Sequence, residues 1–240
     1  SGDLHGGRKR PNVLTLLCNT MDEEGNPMNI EEIKVQMILL LFAGHETTAS
    51  MLTSSLLVLA QRRDMLQVLR REQADAIKSY GSEITLEALS CTPHLDNFLK
   101  EVERMYPPIL GAFRHVVEDV DVYGYQVKKG SRIMRSILSS HRDPALFKEP
   151  NQFDPARFAE PRSEHLKHSF ALQGYGGGPR KCLGAAFAVT EMKVCLAVWL
   201  RSYQWRLKPG QDLTMLTAPT LHPADGLRAD FAKRERSRLD

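Results

Sequence analysis

Cys182 has the most distinctive surroundings of any residue in this 240-residue sequence, because it stands inside the run YGGGPRKCLG at residues 175–184. Three consecutive glycines precede the cysteine, and the apolar pattern of a helix begins just after it. Amides at a helix N-terminus and the cations Arg180 and Lys181 favour the thiolate form of a cysteine. Glycines let the backbone approach a sulfur atom or a flat ligand closely. The loop could therefore present a thiolate to a metal or a haem iron, or use it as a nucleophile.

Other interpretations of this loop stay open on the residues alone. It could cradle a phosphate, although neither the GxxxxGK spacing followed by Ser or Thr nor the complete GxGxxG spacing is present. Cys182 could be a nucleophile, although no pattern of histidine and asparagine partners accompanies it, or it could be a structural cysteine. We favour a metal or haem thiolate, because the other patterns are incomplete.

An acid and an alcohol, Glu46 and Thr47, interrupt a mostly apolar segment at residues 35–60. An acid at the centre of a membrane span costs about 2.5 to 3.5 kcal/mol on insertion scales. We therefore favour a long buried helix, from about residue 30 to residue 62, over a transmembrane one. The pair could relay protons, or it could be a satisfied polar kink in a core helix, and the neighbouring His45 is expected to be structural.

A second acidic motif combines Glu101 with Arg104 on a helix predicted over residues 95–106. A spacing of three places both side chains on one face of that helix. Pro107 and Pro108 end the helix, since proline cannot donate a backbone hydrogen bond and restricts the residue before it. Taken alone, such a pair is a common surface feature.

The elements that must position these residues are mainly helical with small β-sheets. The first third of the chain reads as helices, and short β-type runs predict one small sheet over about residues 112–138. The segment HRD at residues 141–143 matches the start of a kinase catalytic loop, but no DFG follows, so it is expected to be structural. Beyond it we predict an irregular region at 141–170, a helix at 185–203, and terminal strands at 205–207, 213–216 and 227–231.

Composition narrows the function classes. With 42% hydrophobic residues the chain can bury a core, and 32 Lys plus Arg against 29 Asp plus Glu leave a net charge of +3. That charge is too small for a nucleic-acid partner. The four cysteines show no paired spacing, so we expect neither disulfides nor a zinc site, and a reducing compartment is the default.

Four motifs, in their order along the chain, resemble the C-terminal half of a cytochrome P-450, the haem-thiolate monooxygenase superfamily. The haem-loop pattern Phe-x-x-Gly-x-Arg-x-Cys-x-Gly matches residues 175–184, with Tyr175 where phenylalanine is usual. The oxygen-activation pattern, a small residue followed by glycine, any residue, an acid and two alcohols, matches AGHETT at residues 43–48. The other two motifs are Glu-x-x-Arg, which the family pairs with the segment PARF at 155–158, and GAFR at 111–114.

The resemblance implies a haem b cofactor whose iron is ligated by the thiolate of Cys182. It implies hydrogen bonds from Arg180 and Arg114 to the haem propionates, and a catalytic proton relay by Glu46 and Thr47. Small residues would surround the cofactor and oxygen: Ala43, Gly44, Gly176, Gly178 and Gly184. A buried structural network would join Glu101, Arg104 and Arg157, and the substrate would contact Gly111, Ala112 and Phe113, and also Pro219 and Thr220.

The implied activity is insertion of one oxygen atom from O2 into a C–H bond of a small lipophilic substrate. Electrons would come from a ferredoxin or a flavoprotein reductase. Within the family the motifs are most similar to the retinoic-acid-hydroxylase branch and its bacterial relatives, which points to an isoprenoid or retinoid substrate. A peroxygenase or an isomerase is a further possibility, but those branches often alter the acid and alcohol pair that is retained here.

The chain has about half the length of a family member, so we expect the N-terminal half of the fold to be absent. The first ten residues show no signal-peptide pattern and read like a chain that begins in mid-protein. The missing half would be a separate chain, or this sequence is a piece of a longer product; either way the chain alone is expected to be inactive. The alternative function is a non-catalytic haem-binding remnant or interaction fragment. A cytoplasmic location is expected, with any membrane anchor in the missing N-terminal part.

Overall fold

The structure, a computed structural model, describes residues 12–234, so the prediction about the first ten residues lies outside the described residues. The chain is divided into two compact units, Ser1–Glu46 and Thr47–Asp240. The boundary falls within one long helix, and each unit is described by itself below.

The first unit contains a short helix, α1 (Val13–Cys18), and the beginning of the long helix α2 (Ile30–Gln61). Reciprocal hydrogen bonds define where α2 starts. The side chain of Asn29 accepts from the amide of Glu32 at 2.9 Å, and the carboxylate of Glu32 accepts from the amide of Asn29 at 3.0 Å. This arrangement is a capping box, which satisfies amides that the first turn of a helix leaves without partners.

Helix α2 ends at Gln61, one residue before the end of the range of about 30–62 that the sequence predicts for the long helix. Several of its apolar side chains in the first unit, including Ile38, Leu41 and Phe42, are exposed, although Ile33 is buried, and in the second unit Leu57 and Leu59 are buried. Among residues 12–234, no helix combines the length and the apolar character needed to cross a membrane.

The helices of the second unit surround the main hydrophobic core. They are the remainder of α2, then α3 (Arg63–Tyr80), α4 (Leu86–Ser90), α5 (Pro93–Met105) and, after the five-residue α6 (Ile137–His141), the long α7 (Ala185–Ser202). Helix α5 begins with a proline at its first position, where the missing amide costs nothing, and it ends before Pro107 and Pro108. The core contains fully buried side chains from four of these helices: Leu59, Leu69, Leu95, Phe98, Val102, Met192, Leu196 and Leu200.

The single sheet predicted over 112–138 is replaced by two separate antiparallel pairs. Strand β1 (Gly111–His115) pairs with β4 (Arg132–Ser136), and the short strands β2 (Val120–Val122) and β3 (Tyr125–Val127) pair with each other. The β2–β3 turn has positive φ angles at Tyr123 and Gly124, which is typical of a tight hairpin.

A short helix, α6 (Ile137–His141), replaces the predicted end of the last strand in this region. The hydroxyl group of Ser136 accepts a hydrogen bond from the amide of Ser139 at 3.1 Å and caps the helix. Ser136 therefore ends β4, because a capped helix start takes the place of further strand pairing.

Residues 142–184 are irregular apart from three short 3-10 helices: Pro155–Phe158, Glu164–Leu166 and Gly178–Arg180. After α7, strand β5 (Tyr203–Leu207) pairs with β8 (Ala229–Lys233), and β6 (Met215–Leu216) pairs with β7 (His222–Pro223). The predicted C-terminal strands are shifted by about two residues, and β7 was not predicted, because two residues including a proline carry no alternating pattern. The mainly helical fold class with small sheets is confirmed.

Candidate functional site

Cys182 stands three residues before α7, at the end of the glycine-rich loop. Its thiol is exposed and forms no disulfide. The amide of Cys182 donates a hydrogen bond of 2.8 Å to the carbonyl oxygen of Tyr175, which closes the loop into a ring of backbone. Gly176 and Gly178 have φ angles of +70° and +64°, which side-chain-bearing residues rarely adopt. The glycines therefore permit the backbone path that presents the thiol.

A packing contact explains why residue 177, between Gly176 and Gly178, is also a glycine. A Cβ atom at Gly177 would lie 2.1 Å from the ring of Phe170, so the loop backbone packs directly against that ring. By contrast, Cβ atoms at Gly178 and Gly184 would meet no atom within 4 Å. Apolar side chains continue from the cysteine into the next helix without being covered, since Leu183 and Phe187 are 88% and 73% exposed.

Two arginines from the β1–β4 pair line a cavity of about 400 Å³ beside the glycine-rich loop. Arg114 makes a hydrogen bond to the backbone oxygen of Phe113, and Arg135 donates to the side chain of Gln173. The cavity is completed by Phe170, Gly177 and Gly178. The strands approach closely enough that a Cβ at Gly111 would lie 2.8 Å from the carbonyl oxygen of Arg135, so glycine is required there. The cavity can receive an anionic group of a ligand that lies on the loop.

Arg180 is exposed on the 3-10 helix of the loop. Neither Arg180 nor Arg114 has an ion-pair partner among residues 12–234. Ala112 is half-buried and Phe113 is exposed on β1. The structure thus brings Arg114 together with Gly178 at one cavity.

Glu101, Arg104 and Arg157 form one fully buried ion-pair network. The carboxylate of Glu101 accepts from Arg104 at 2.7 and 2.8 Å and from Arg157 at 3.2 Å. The guanidinium of Arg104 also donates to the carbonyl oxygens of His141, Pro150 and Gln152. These bonds hold the irregular segment that precedes the cysteine loop against α5.

Glu164 extends this network and was not predicted from the sequence. Its carboxylate accepts from Arg157 and from Arg162, each at 2.7 Å. Burial alone would raise the pKa of Glu164, but the hydrogen bonds from the two arginines outweigh burial and lower it. No local sequence pattern predicts the role of Glu164, because its partners lie in a loop without periodicity.

Two buried titratable side chains, Glu103 and His141, hold three consecutive amides just before the glycine-rich loop. The carboxylate of Glu103 accepts from the amide of Gly174 at 2.8 Å, and the amide of Tyr175 also favours its ionised form. The ring of His141 accepts from the amide of Gln173 at 2.9 Å through Nε2. We call this arrangement the amide clamp.

Burial shifts both pKa values within the amide clamp. It raises the pKa of Glu103 to about 7, against the opposing effect of the two amides. It lowers the pKa of His141 to about 4, against the opposing hydrogen bond to the carbonyl oxygen of Arg104. Glu103 was not predicted, since a spacing of two from Glu101 places it on a different helix face, where an acid is ordinarily solvated.

The residues predicted to handle oxygen lie along α2. Ala43, Gly44 and Glu46 belong to the first unit, where the carboxylate of Glu46 lies 3.4 Å from Nδ1 of His45. Thr47 is the first residue of the second unit and is half-buried.

The predicted C-terminal contact loop is attached to the second-unit part of α2. The hydroxyl of Ser50 donates to the carbonyl oxygen of Leu221 at 2.5 Å. In the same loop Thr220 is buried and Pro219 is exposed. The contact joins this loop to α2; Pro219 and Thr220 do not line the cavity beside the glycine-rich loop.

The donor chemistry restricts what Cys182 could bind. Within the described part of the chain, no cluster of three or more His, Cys, Asp or Glu side chains could hold a metal ion. A metal bound by the single thiol of Cys182 would have to bring its other ligands with it, as a haem iron does. The exposed apolar side chains and the unpaired arginines match a flat, apolar and anionic ligand.

Comparison with known proteins gives one consistent family. The family model described as cytochrome P-450 matches residues 3–226. The cytochrome P-450 120 of Synechocystis sp. is 39% identical over 216 residues, which cover 90% of this chain and 48% of that protein. The cytochrome P-450 26A1 of Gallus gallus is 35% identical over 230 residues, which cover 94% of this chain and 46% of that protein.

A solved structure gives the same result. A cyanobacterial CYP120A1 with retinoic acid bound superposes with a TM-score of 0.86 at 37% identity, covering 93% of this chain and 51% of the other. The chain therefore spans about half the length of the relatives that it matches. The expected similarity to a C-terminal half and to the retinoic-acid-hydroxylase branch with its bacterial relatives is confirmed.

Proposed function

The chain belongs to the cytochrome P-450 family, and from this we propose that it forms the cysteine-bearing half of a haem-thiolate monooxygenase with Cys182 as the iron ligand. The observation that carries the proposal is the exposed, unpaired thiol at the end of a loop whose backbone needs glycine at two positions. The other exposed cysteines, Cys18 and Cys91, do not lie in such a loop.

The residues around Cys182 fit haem b, and each has a distinct part in binding it. Leu183 and Phe187 would supply apolar surface for the macrocycle, and Arg114 in the cavity and the exposed Arg180 would supply hydrogen bonds for its two carboxylates. The backbone at Gly178 and Gly184 leaves open space for close approach. When bound, the haem would supply the activation of O2 for insertion of an oxygen atom into a C–H bond.

Glu46 and Thr47 are the residues that we assign to proton handling. The carboxyl group of Glu46 can hold a proton and exchange it with solvent, because its side chain is 36% exposed. The hydroxyl group of Thr47 can accept and donate a proton through Oγ1. The small residues Ala43 and Gly44, one turn earlier on α2, would leave room for oxygen.

The substrate in this proposal is a small lipophilic molecule of the isoprenoid or retinoid class. The relative with retinoic acid bound supports this class. Gly111, Ala112 and Phe113 on β1 would contact it, together with Pro219 and Thr220 in the C-terminal loop. Electrons would come from a ferredoxin or a flavoprotein reductase.

The length of the chain supports a limit on this activity. Because it spans about half of its relatives, we propose that the isolated chain binds haem weakly and does not hydroxylate substrate until the other half of the fold is supplied. The same observation favours the second candidate, a non-catalytic haem-binding fragment.

The absorption spectrum of the purified chain tests the ligand assignment. Haem is added, reduced and exposed to carbon monoxide, and thiolate ligation gives a Soret band shifted far to the red. We expect this band in the wild type and in Cys91→Ala, which removes another exposed cysteine, but not in Cys182→Ala. A red-shifted band that persists in Cys182→Ala, or no haem uptake by the wild type, would contradict the proposal for this chain.

The two candidate functions separate in a second measurement. The chain is mixed with the N-terminal half of a full-length relative and tested for oxygen consumption coupled to substrate hydroxylation. Turnover that depends on Glu46 and Thr47 supports the monooxygenase, whereas haem binding without turnover supports the non-catalytic fragment.

A further inference from the structure

Glu103 is the most unusual charged side chain in the second unit. It is only 8% exposed, and it forms no ion pair within residues 12–234. Buried carboxylates are ordinarily paired with a cation, because burial of an isolated charge is costly. Among residues 12–234, backbone amides at the start of the cysteine loop are the main groups that compensate this one, and Lys100 adds a weaker electrostatic contribution. A buried acid without an ion pair lowers the stability of the fold, so packing alone does not explain why an acid stands here.

The contacts of Glu103 lead to Cys182 in two steps. The carboxylate accepts a hydrogen bond of 2.8 Å from the amide of Gly174, and the amide of the next residue, Tyr175, also favours its ionised form. The carbonyl oxygen of Tyr175 accepts the amide of Cys182 at 2.8 Å. One residue, Tyr175, is therefore held by Glu103 on one side and holds Cys182 on the other. Any displacement of the carboxylate moves the backbone that fixes the cysteine.

The fit between Glu103 and the loop leaves no room for adjustment. A Cβ atom at Gly174 would lie 2.5 Å from Cγ of Glu103 and 2.7 Å from Oε1. Glycine at position 174 is therefore required by the side chain at position 103, although the φ angle of Gly174 is not one that favours glycine. The two residues form a matched pair whose parts lie on α5 and on the loop.

We propose that Glu103 is a positioning residue for Cys182, which fixes the cysteine through Gly174 and Tyr175 and, when ionised, carries a negative charge two hydrogen bonds away from the iron ligand. The proposal rests on the proposed function for the part that concerns iron. Hydrogen bonds that end on a carboxylate are stronger than those between neutral groups, so the carboxylate restrains the loop more than an amide side chain would. A negative charge in low dielectric also makes the thiolate a stronger electron donor.

Hydrogen exchange of the chain without haem tests the positioning. In Glu103→Gln we expect the amides of Gly174, Tyr175 and Cys182 to exchange about tenfold faster, with the amides of α3 unchanged. The matched control is Glu72→Gln, since the carboxylate of Glu72 also accepts two consecutive backbone amides, those of His94 and Leu95. The control should speed exchange at those two amides and leave Cys182 as in the wild type.

Two results of this measurement would overturn the proposal. The first is unchanged exchange at Cys182 in a folded Glu103→Gln. The second is an equal increase throughout the second unit, since that would make Glu103 an ordinary contributor to stability.

A rescue experiment keeps the proposal testable if Glu103→Gln does not fold. Gly174→Ala retains the Glu103 side chain but pushes it away from the loop. The substitution should therefore speed exchange at Cys182 when Glu103 is present. In a Glu103→Ala background the three atoms that clash are absent, so the same substitution should have little effect. Equal effects in the two backgrounds would contradict the coupling.

The haem-loaded chain provides a readout that a merely structural residue would not move. At about pH 8.5, above the pKa of about 7 of the buried carboxyl group, Glu103→Gln removes a negative charge, so we expect a reduction potential shifted to more positive values, while Glu72→Gln leaves it unchanged. An unshifted potential in Glu103→Gln would refute the electrostatic part. If the exchange results hold and the wild type takes up no haem, the proposed function fails and the positioning of the loop by Glu103 stands.

Discussion

In the network of Glu101, Arg104 and Arg157 every charged group is paired inside the chain, whereas Arg114 and Arg180 beside the cysteine loop have no ion-pair partner among residues 12–234. The network is fully buried, and the loop presents an exposed thiol and exposed apolar side chains. Charged groups that are paired inside the chain contribute to the stability of the fold. Charges and apolar surface that are left unsatisfied are available to a ligand.

Helix α5 connects these two regions, because it carries Glu101 toward the network and Glu103 toward the loop. Glu101 is compensated by two guanidinium groups, and Glu103 mainly by backbone amides. The same residue type on one helix therefore has two electrostatic settings. Substitutions in the network should change stability most, and substitutions at the loop should change ligand binding most.

The largest effect is expected for Glu101→Gln. It removes the negative charge from between two buried guanidinium groups, and breaking a buried pair in this way costs about 3 to 5 kcal/mol of unfolding free energy. Urea denaturation followed by circular dichroism measures the change. Lys128→Ala breaks an exposed pair with Asp119 and should leave the midpoint almost unchanged. Equal midpoints for Glu101→Gln and the wild type would contradict the division between the two regions.

The second effect is a pH dependence that belongs to Glu103. Burial raises its folded-state pKa to about 7 from an ordinary value of 4.5, so the folded state favours the protonated acid. The stability from this group is complete below about pH 4.5 and is lost as the pH rises through 7, a change of about 3 kcal/mol. Lys100 on the same helix and Tyr175 on the loop interact electrostatically with the carboxylate.

The difference between wild type and Glu103→Gln isolates this dependence. His141 has the opposite sign, since burial lowers its pKa to about 4 and its stability is lost as the pH falls from 6.5 to 4. The two effects partly cancel in the wild type. Unfolding free energies measured from pH 4.5 to pH 8 should therefore fall more steeply with rising pH in the wild type than in Glu103→Gln, and parallel curves would contradict the prediction.

The same contrast explains what the sequence could and could not predict. Helices α2 and α5 follow from local signals, the mostly apolar segment at residues 35–60 and the prolines after residue 106. The cysteine loop is also local, because its glycines and cysteine lie within ten residues. Glu103 could not be predicted in this way, since its role depends on a loop 71 residues later in the chain.

Predicted sheets failed for a related reason. The one sheet expected over 112–138 is two pairs, because short strands join only where the backbone of a partner is available. Helix α6 depends on a single hydroxyl group, that of Ser136, which reads equally well as a strand residue. The roles of the site residues toward haem, oxygen and substrate stay predictions.

The third effect concerns haem binding rather than stability. Arg114→Gln removes a cation from the 400 Å³ cavity, and the loss of a charged hydrogen bond of about 1.5 to 3 kcal/mol should weaken haem binding about tenfold to a hundredfold. Titration of haem followed by absorbance measures the affinity. Arg132→Gln on the neighbouring strand, which does not line the cavity, is the control. Equal losses of affinity in the two variants would show a general charge effect rather than a site.

The smallest effect on stability is expected for Arg180→Gln. The guanidinium of Arg180 is exposed and has no side-chain partner among the described residues, so the unfolding free energy should change by less than about 0.5 kcal/mol. Haem affinity should nevertheless fall, because Arg180 lies two residues before Cys182 and carries a charge that no ion pair in the described part of the chain compensates. If removal of the Arg180 charge leaves the unfolding free energy unchanged but lowers haem affinity, the side chain serves haem binding and not the stability of the fold. A loss of stability comparable to that of Glu101→Gln would show instead that Arg180 is a structural residue, and the division between paired and unpaired charges would fail at its simplest case.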